Sequence, residues 1–224
     1  MTEDQAGPAP EIKTMEPPAA RPHGVVDIAG WLREGWRIFK TEPLVFMLVT
    51  AIFGILLIIA ANIPLAGLLI AGPLTIGFYL VVADMALGRA FNVWRLFEGF
   101  KFFLPALAAN LAVTFFSIIG FILLIIPGII VMAWYLFTFL FIADRGFGFW
   151  RAMEASRQLV RQDTIGFIFF LCAMVVVNLL GALCLLVGLF VSIPVTYIAT
   201  FAAYRKLAGL QKLAEQPAPP PVHI

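Results

Sequence analysis

The stretch LLIIPGIIVMAWYLFTFLF, residues 123–141, contains no charged residue and holds a Pro-Gly pair, Pro127-Gly128. A stretch of this kind is either one buried helix with a kink or the bend between two helices that each cross a membrane. The length of the surrounding uncharged sequence decides between them, because a single crossing takes about 20 apolar residues. The uncharged run covers residues 102–143, about twice the length of one crossing. We therefore predict a turn between two crossings at Pro127-Gly128.

The composition is that of a membrane protein. Of the 224 residues, 62% are hydrophobic and 12% are charged, whereas about 25% are charged in a typical soluble domain. A soluble chain of this size would need more polar surface to cover its core. The net charge of +2 is small, so the sequence does not point to a nucleic-acid partner.

Two further uncharged runs, over residues 43–83 and 164–204, have nearly the same length. Each accommodates two crossings of about 20 residues. Every run contains helix-breaking residues, and proline fits the first turn of a helix because its missing N–H is not needed there. We therefore expect Pro73, Pro127 and Pro194 near the starts of the returning helices.

These features predict an all-α fold, a polytopic membrane helical bundle with six transmembrane helices arranged as three hairpins. The predicted crossings cover about residues 43–62, 67–88, 103–126, 128–144, 164–188 and 193–208. They lie in a membrane domain over residues 25–212. The Pro-rich segments 1–24 and 213–224 lack periodic apolar residues, so we expect them to be disordered cytoplasmic tails.

A short segment with a tryptophan precedes each hairpin, at Trp31, Trp94 and Trp150. Apolar and charged residues of the first and third segments fall on opposite arcs at helical spacing. Amphipathic helices of this kind lie in the headgroup plane, with tryptophan at the interface. The sequence therefore predicts an amphipathic interfacial helix before each hairpin and a unit that occurs three times, as in an internal repeat.

Lysine and arginine mark one side of the predicted bundle. They flank the open ends of the hairpins, and the predicted tight turns contain neither residue. Under the positive-inside rule, the N- and C-termini and both long loops face the cytoplasm. Six crossings satisfy this arrangement, whereas an odd number would place one basic cluster on the opposite side.

Few residues of the predicted bundle are suited to catalysis. The two histidines, His23 and His223, lie in the predicted tails, so a histidine base or histidine metal ligand inside the bundle is excluded. The sequence has no glycine-rich phosphate loop and no cysteine cluster. We therefore predict a non-enzymatic protein with no catalytic residue, no cofactor site and no metal site.

Three polar residues lie within or beside the apolar runs. Asp84 and Asp144 each lie near the cytoplasmic end of a returning helix. They are candidates for a cation or proton pathway, or else interfacial residues that reach water beside Arg89 and Arg145. Asn178 lies near the middle of its run, where an amide either lines a polar pathway or joins two helices by hydrogen bonds.

The basic residues beside the predicted interfacial helices are candidates for contact with anionic phospholipid headgroups. A cation near the surface of an anionic membrane contributes about 1 kcal/mol to the attraction. The positive-inside rule alone also explains a collar of basic residues at this side. The candidate lipid contacts are Arg95, Lys101, Arg151, Arg157 and Arg161.

Three stretches carry a family resemblance: GPLTIGFYLVVADMALGRAFNVWRLFEGFKFFLP, IPGIIVMAWYLFTFLFIADRGFGFWRAMEASRQLVR and IPVTYIATFAAYRKLAG. They resemble the GP-L-x-x-G-x-Y, I-P-G and A-x-x-x-S-x-x-x-V motifs of uncharacterised six-helix integral membrane proteins of bacteria. The unit is similar to the membrane domain that precedes the catalytic barrel of some glycerophosphodiester phosphodiesterases. The resemblance covers about residues 27–210 and implies the fold and the bacterial cytoplasmic membrane. It implies no phosphodiesterase residue, because the sequence given has no such barrel.

Three functions are compatible with these observations. The first is a non-enzymatic protein that organises lipid or a partner protein, including a second copy of this chain, at the cytoplasmic face. The second is a small-solute or lipid transporter, because transporters have internal repeats and helices interrupted by Pro or Gly. The third is a lipid-modifying enzyme, which would require Asp84 and Asp144 to converge with a metal or a nucleophile.

Overall fold

The computed structural model describes residues 26–63, 65–184 and 187–215, and the predicted tail 1–24 and most of the second tail lie outside these ranges. Within them the secondary structure is entirely helical. The α-helices are α1 (Ile28–Phe39), α2 (Pro43–Ala61), α3 (Ala66–Ala86), α4 (Arg95–Glu98), α5 (Phe103–Leu123), α6 (Ile125–Trp134), α7 (Thr138–Arg145), α8 (Phe149–Val160), α9 (Thr164–Leu183), α10 (Leu189–Leu207) and α11 (Lys212–Glu215).

Five helical stretches in the described part of the chain are long and apolar enough to cross a membrane. They are Pro43–Ala61, Ala66–Ala86, Arg95–Leu123, Ile125–Arg145 and Phe149–Leu183. This is the pattern of a multi-pass membrane protein. The helix α10 is not among the five, and it differs from them in ending with two cations, Arg205 and Lys206, in its last turn.

The uncharged stretch at residues 123–141 contains a break between two helices, but the break lies at Leu124, so the predicted position at Pro127-Gly128 is wrong. Helix α5 ends at Leu123, Leu124 is extended, and α6 begins at Ile125. Pro127 therefore lies in the first turn of α6, where the loss of an N–H donor costs no helical hydrogen bond. The two helices approach closely, since a Cβ on Gly120 would lie only 2.9 Å from the Gly128 Cα.

The other two prolines lie elsewhere than expected. Helix α3 begins at Ala66, and Pro73 lies well inside it. Helix α10 begins at Leu189, and Pro194 is likewise inside the helix. The expectation that both lie near the helix starts, in the first turn, is wrong, because packing against neighbouring helices holds a proline-containing helix together within a bundle. Both prolines are buried.

The centre of the bundle is formed by α3 and α10, each of which buries more residues than any other helix in the described chain. Aromatic rings join these helices to α2: the ring centroids of Phe78 and Tyr197 are 4.6 Å apart, and those of Phe53 and Phe78 are 5.0 Å apart. Helices α5 and α9 bury few residues and expose large apolar side chains. In a membrane, these faces meet lipid without the cost of exposing apolar surface to water.

The three segments predicted as interfacial helices differ from one another. Trp94 and Trp150 are each 64% exposed, as expected at an interface. Trp31 is only 2% exposed and lies against Phe167 and Phe170 of α9, so its predicted interfacial position is wrong. The apolar arc of α1 covers other helices of the bundle, since α1 packs along α10 and also touches α9.

The second of these segments is also shorter than an interfacial helix. Only Arg95–Glu98 is α-helical, and a 3-10 turn over Gly99–Phe102 follows it. Two glycines allow this segment to lie directly on α3: a Cβ on Gly77 would overlap the Leu96 carbonyl, and one on Gly99 would overlap the Pro73 carbonyl. This close packing places Arg95 beside the end of α3.

The chain after α10 is folded where a disordered tail was predicted from residue 213. Helix α11 covers Lys212–Glu215, and the Leu213 side chain is fully buried. The prediction relied on a Pro-rich composition that begins only at Pro217, beyond the described residues.

Candidate functional site

The buried charges of the described chain gather at one end of the bundle. We call it the basic end and define it by the carboxyl-terminal ends of α3, α7 and α10 together with Arg89 and α4. Its two carboxylates, Asp84 and Asp144, are 2% and 0% exposed. The alternative in which these residues reach water at the interface is therefore wrong, because each carboxylate is enclosed by donors from other segments of the chain.

Asp84 forms a buried ion pair with two arginines. Arg95 donates from Nε to Asp84 Oδ2 at 2.5 Å and from Nη2 to Oδ1 at 3.2 Å, a bidentate geometry. Arg89 donates from Nη1 to Oδ1 at 3.1 Å. Arg95 also bonds Glu98 at 2.8 Å, so the charges are balanced within the cluster.

Asp144 is held mainly by neutral donors. Tyr204 donates its hydroxyl to Oδ2 at 2.9 Å, and the backbone N–H groups of Gln211 and Leu213 donate to Oδ1 at 2.9 and 3.0 Å. The Arg145 Nε lies 3.5 Å from Oδ2. Three hydrogen bonds and one adjacent cation compensate for the loss of water around the charge.

The spacing of these residues matches the period of the predicted repeat. Positions 84, 144 and 204 follow one another at equal intervals, at the ends of α3, α7 and α10. Asp84, Asp144 and Tyr204 occupy these three positions in turn. The Tyr204 hydroxyl donates a hydrogen bond to the Asp144 carboxylate. The sequence contains this signal, but the partners of the carboxylates lie on other segments, so spacing alone did not reveal them.

No group of three or more His, Cys, Asp or Glu side chains in the described residues is placed to hold a metal ion. The partners of Asp84 and Asp144 are arginines, backbone N–H groups and a tyrosine hydroxyl. These donors occupy the oxygens that a cation would need. The arrangement is suited to joining segments of the chain at the basic end.

The five candidate lipid contacts fall into two groups. Arg95 is 7% exposed and bound to Asp84, so it is not available to a headgroup. Arg157 donates twice to Glu154, from Nε and Nη2, both at 3.0 Å. Lys101, Arg151 and Arg161 are exposed. Lys101 lies 3.1 Å from Glu98, and the Arg151 guanidinium lies 4.3 Å from the centre of the Phe147 ring.

Asn178 joins α9 to α10. Its Nδ2 donates to the Met174 carbonyl at 2.9 Å and to Thr196 Oγ1 at 3.3 Å, and its Oδ1 accepts from Ser192 Oγ at 3.0 Å. The same amide lines an open cavity of about 480 Å³, to which Tyr79 of α3 and Leu136 of the turn between α6 and α7 also contribute. The amide therefore acts as an interhelical link at the edge of a mainly apolar cavity.

Ser156 fills a structural role that sequence reasoning did not find. Its hydroxyl donates to the Trp134 carbonyl at 2.7 Å and accepts from the Phe137 N–H at 3.1 Å. These backbone groups lie at the break between α6 and α7, where the helical hydrogen bonds are interrupted. The A-x-x-x-S-x-x-x-V motif was the one sequence feature that singled out Ser156. Its three residues, Ala152, Ser156 and Val160, lie with Met153 on the buried face of α8.

Comparison with protein-family models, with curated proteins and with solved structures finds no match to this chain. The resemblance to six-helix bacterial membrane proteins therefore stays a prediction from the sequence. The fold and the basic end define the chain as an all-helical protein with the pattern of a multi-pass membrane protein.

Proposed function

We propose that this chain is a non-enzymatic integral protein of the bacterial cytoplasmic membrane. In this proposal it crosses the bilayer six times, as three hairpins, with the basic end and both termini in the cytoplasm. Five apolar helical stretches support it, together with α10, whose basic last turn suits a helix that ends at the cytoplasmic surface.

Its role in this proposal is to organise anionic lipid, or a membrane protein held through such lipid, at the cytoplasmic face. The observation that carries the proposal is the contrast between paired and exposed cations. Arg89 and Arg95 are committed to the buried Asp84 carboxylate, whereas Arg151 and Arg161 point outward from α8 and the turn that follows it. Trp150 beside them is 64% exposed, as for a side chain in the headgroup layer.

The expected strength of this contact follows from the charges. Each cation near an anionic membrane surface contributes about 1 kcal/mol. Arg151 and Arg161 together then give about 2 kcal/mol, which corresponds to roughly 25-fold in association. Arg95 is not counted among these lipid-contacting cations, because its guanidinium is buried in an ion pair.

The test compares two double variants by native mass spectrometry of protein released directly from its membrane patches. R151Q/R161Q removes two outward charges, and we expect the amount of retained anionic phospholipid to fall strongly. E154Q/R157Q removes a matched ion pair from the same helix with no change in net charge, and we expect unchanged retention. Equal retention by R151Q/R161Q and the parent protein would contradict the proposal, as would an equal fall in both variants.

Transport of a small solute or lipid is the second candidate, and the cavity of about 480 Å³ beside Asn178 favours it. Solute uptake into vesicles that changes with N178L would support transport. The polar groups of Asn178 are bonded to Thr196, Ser192 and the Met174 carbonyl, which favours the lipid-organising role.

A further inference from the structure

The segment after α10 turns back onto the basic end. Helix α10 ends at Leu207, and Gly209 has φ +70°, the left-handed conformation that lets the chain reverse after a helix. The segment then forms α11 and buries Leu213 completely, although Gln211, Lys212, Ala214 and Glu215 on either side are exposed. Leu213 is therefore the buried anchor of residues 211–215, and nearer to α10 the Ala208 side chain is also buried and Leu210 packs against the core.

The basic end recognises the backbone of this segment. Asp144 accepts hydrogen bonds from the N–H groups of Gln211 and Leu213. Arg145 donates from Nη2 to the Ala208 carbonyl at 2.8 Å, and Arg89 donates from Nη2 to the Ala214 carbonyl at 3.0 Å. Charged side chains at or just after the ends of α3 and α7 thus bind the segment that follows α10.

The side chains that hold the segment are themselves buried. Asp144 is 0% exposed, and the side chains of Arg145 and Arg89 are 8% and 12% exposed. Without residues 208–215, Asp144 would lose two of its three hydrogen-bond donors, Gln211 and Leu213. Tyr204 and Arg145 would remain beside it, and a partly compensated carboxylate would face the opened end.

We propose that residues 208–215 form a latch that closes the basic end and that Asp144 is the charge that holds it. The latch opens locally, while the helices beneath it stay folded, because it is joined to them by a few small contacts: the apolar side chains of Ala208, Leu210 and Leu213 and a few backbone bonds. Opening exposes Asp144, Arg145 and Arg89 together as a charged recess. The inference concerns this chain's own segment and does not depend on the lipid-organising role.

The test measures thiol accessibility in the full chain, reconstituted in lipid, with Cys172 and Cys184 replaced by serine. L213C places a thiol at the fully buried anchor, and A214C places one at the exposed neighbour. L96C is the control for unfolding, because Leu96 is 0% exposed in α4 on the surface of α3. We expect maleimide to react fast with A214C, much more slowly with L213C and slowest with L96C.

The substitution Asp144→Asn is then added to each of the three cysteine variants, L213C, A214C and L96C. Loss of hydrogen bonds to a charged acceptor predicts about 10- to 100-fold faster reaction of L213C, with unchanged rates for L96C and A214C. R89Q provides a second variant that keeps Asp144 and removes the bond to Ala214 together with one bond to Asp84, and we expect a smaller increase.

Three results would overturn the latch. If L213C reacts as fast as A214C when Asp144 and Arg89 are both present, the segment is not packed against the basic end. An L213C rate that D144N and R89Q both leave unchanged would show that these charges do not hold it. Equal acceleration of L213C and L96C in both variants would show global unfolding without a separate local opening.

Discussion

Replacing Asp84 with asparagine tests whether the charges at the basic end are paired away from water. The Asp84 and Arg95 side chains are 3% and 8% exposed, and their charged atoms approach to 2.5 Å. Removing one partner of a buried pair typically costs 3–5 kcal/mol, because the other charge is left without compensation. Glu98 stays bonded to Arg95, so we expect the lower end, a loss of about 3 kcal/mol in the free energy of unfolding.

The assay is unfolding by SDS in mixed lipid–detergent micelles, followed by circular dichroism. The matched control is E154Q, which breaks the ion pair with Arg157 on α8, where both side chains are 36% exposed. Exposed pairs contribute at most about 1 kcal/mol, so E154Q should lie close to the parent. A D84N variant as stable as E154Q would refute the reasoning, because it would mean that water reaches the Asp84–Arg95 pair.

Three further substitutions test other contacts. S156A leaves the backbone groups of the α6–α7 break without their partner, and we expect a loss of about 1–3 kcal/mol in the same unfolding assay; a smaller loss would show that water or a neighbour replaces the hydroxyl. G77A places a Cβ against the Leu96 carbonyl, and we expect a loss of about 1–3 kcal/mol, whereas an unchanged stability would contradict the close packing of α4 on α3. N178L should lower stability by about 0.6–1.7 kcal/mol and leave solute uptake unchanged; altered uptake would move the assignment to transport.

The sequence predicted the helices well where local chemistry determines them. Helix α2 begins at Pro43, where the charge-free run begins, and the break after Leu123 falls just before Pro127. Both features follow from the N–H that proline lacks and from the distance between charges. Pro73 and Pro194 behave differently, because buried helices accommodate proline through neighbours that the local sequence does not identify.

The candidate site was less predictable, because its contacts are made between distant segments. Arg95 was expected to meet lipid, and its pairing with Asp84 depends on the close contact of α4 and α3 at Gly77. The partners of Asp144 at Gln211 and Leu213 are backbone groups, which carry no signal in the side-chain sequence. Only the tertiary fold brings these groups together.

The central claim is that the chain crosses the membrane in hairpins with the basic end inside the cell. The most direct measurement is labelling of L124C in intact cells by a membrane-impermeant maleimide, in a background without Cys172 and Cys184. Leu124 is 67% exposed at the break between α5 and α6, at the end of a crossing opposite the basic end in this account. The account predicts that L124C reacts in intact cells, whereas A214C reacts only after the membrane is permeabilised. Reaction of L124C only after permeabilisation, or reaction of A214C in intact cells, would contradict it.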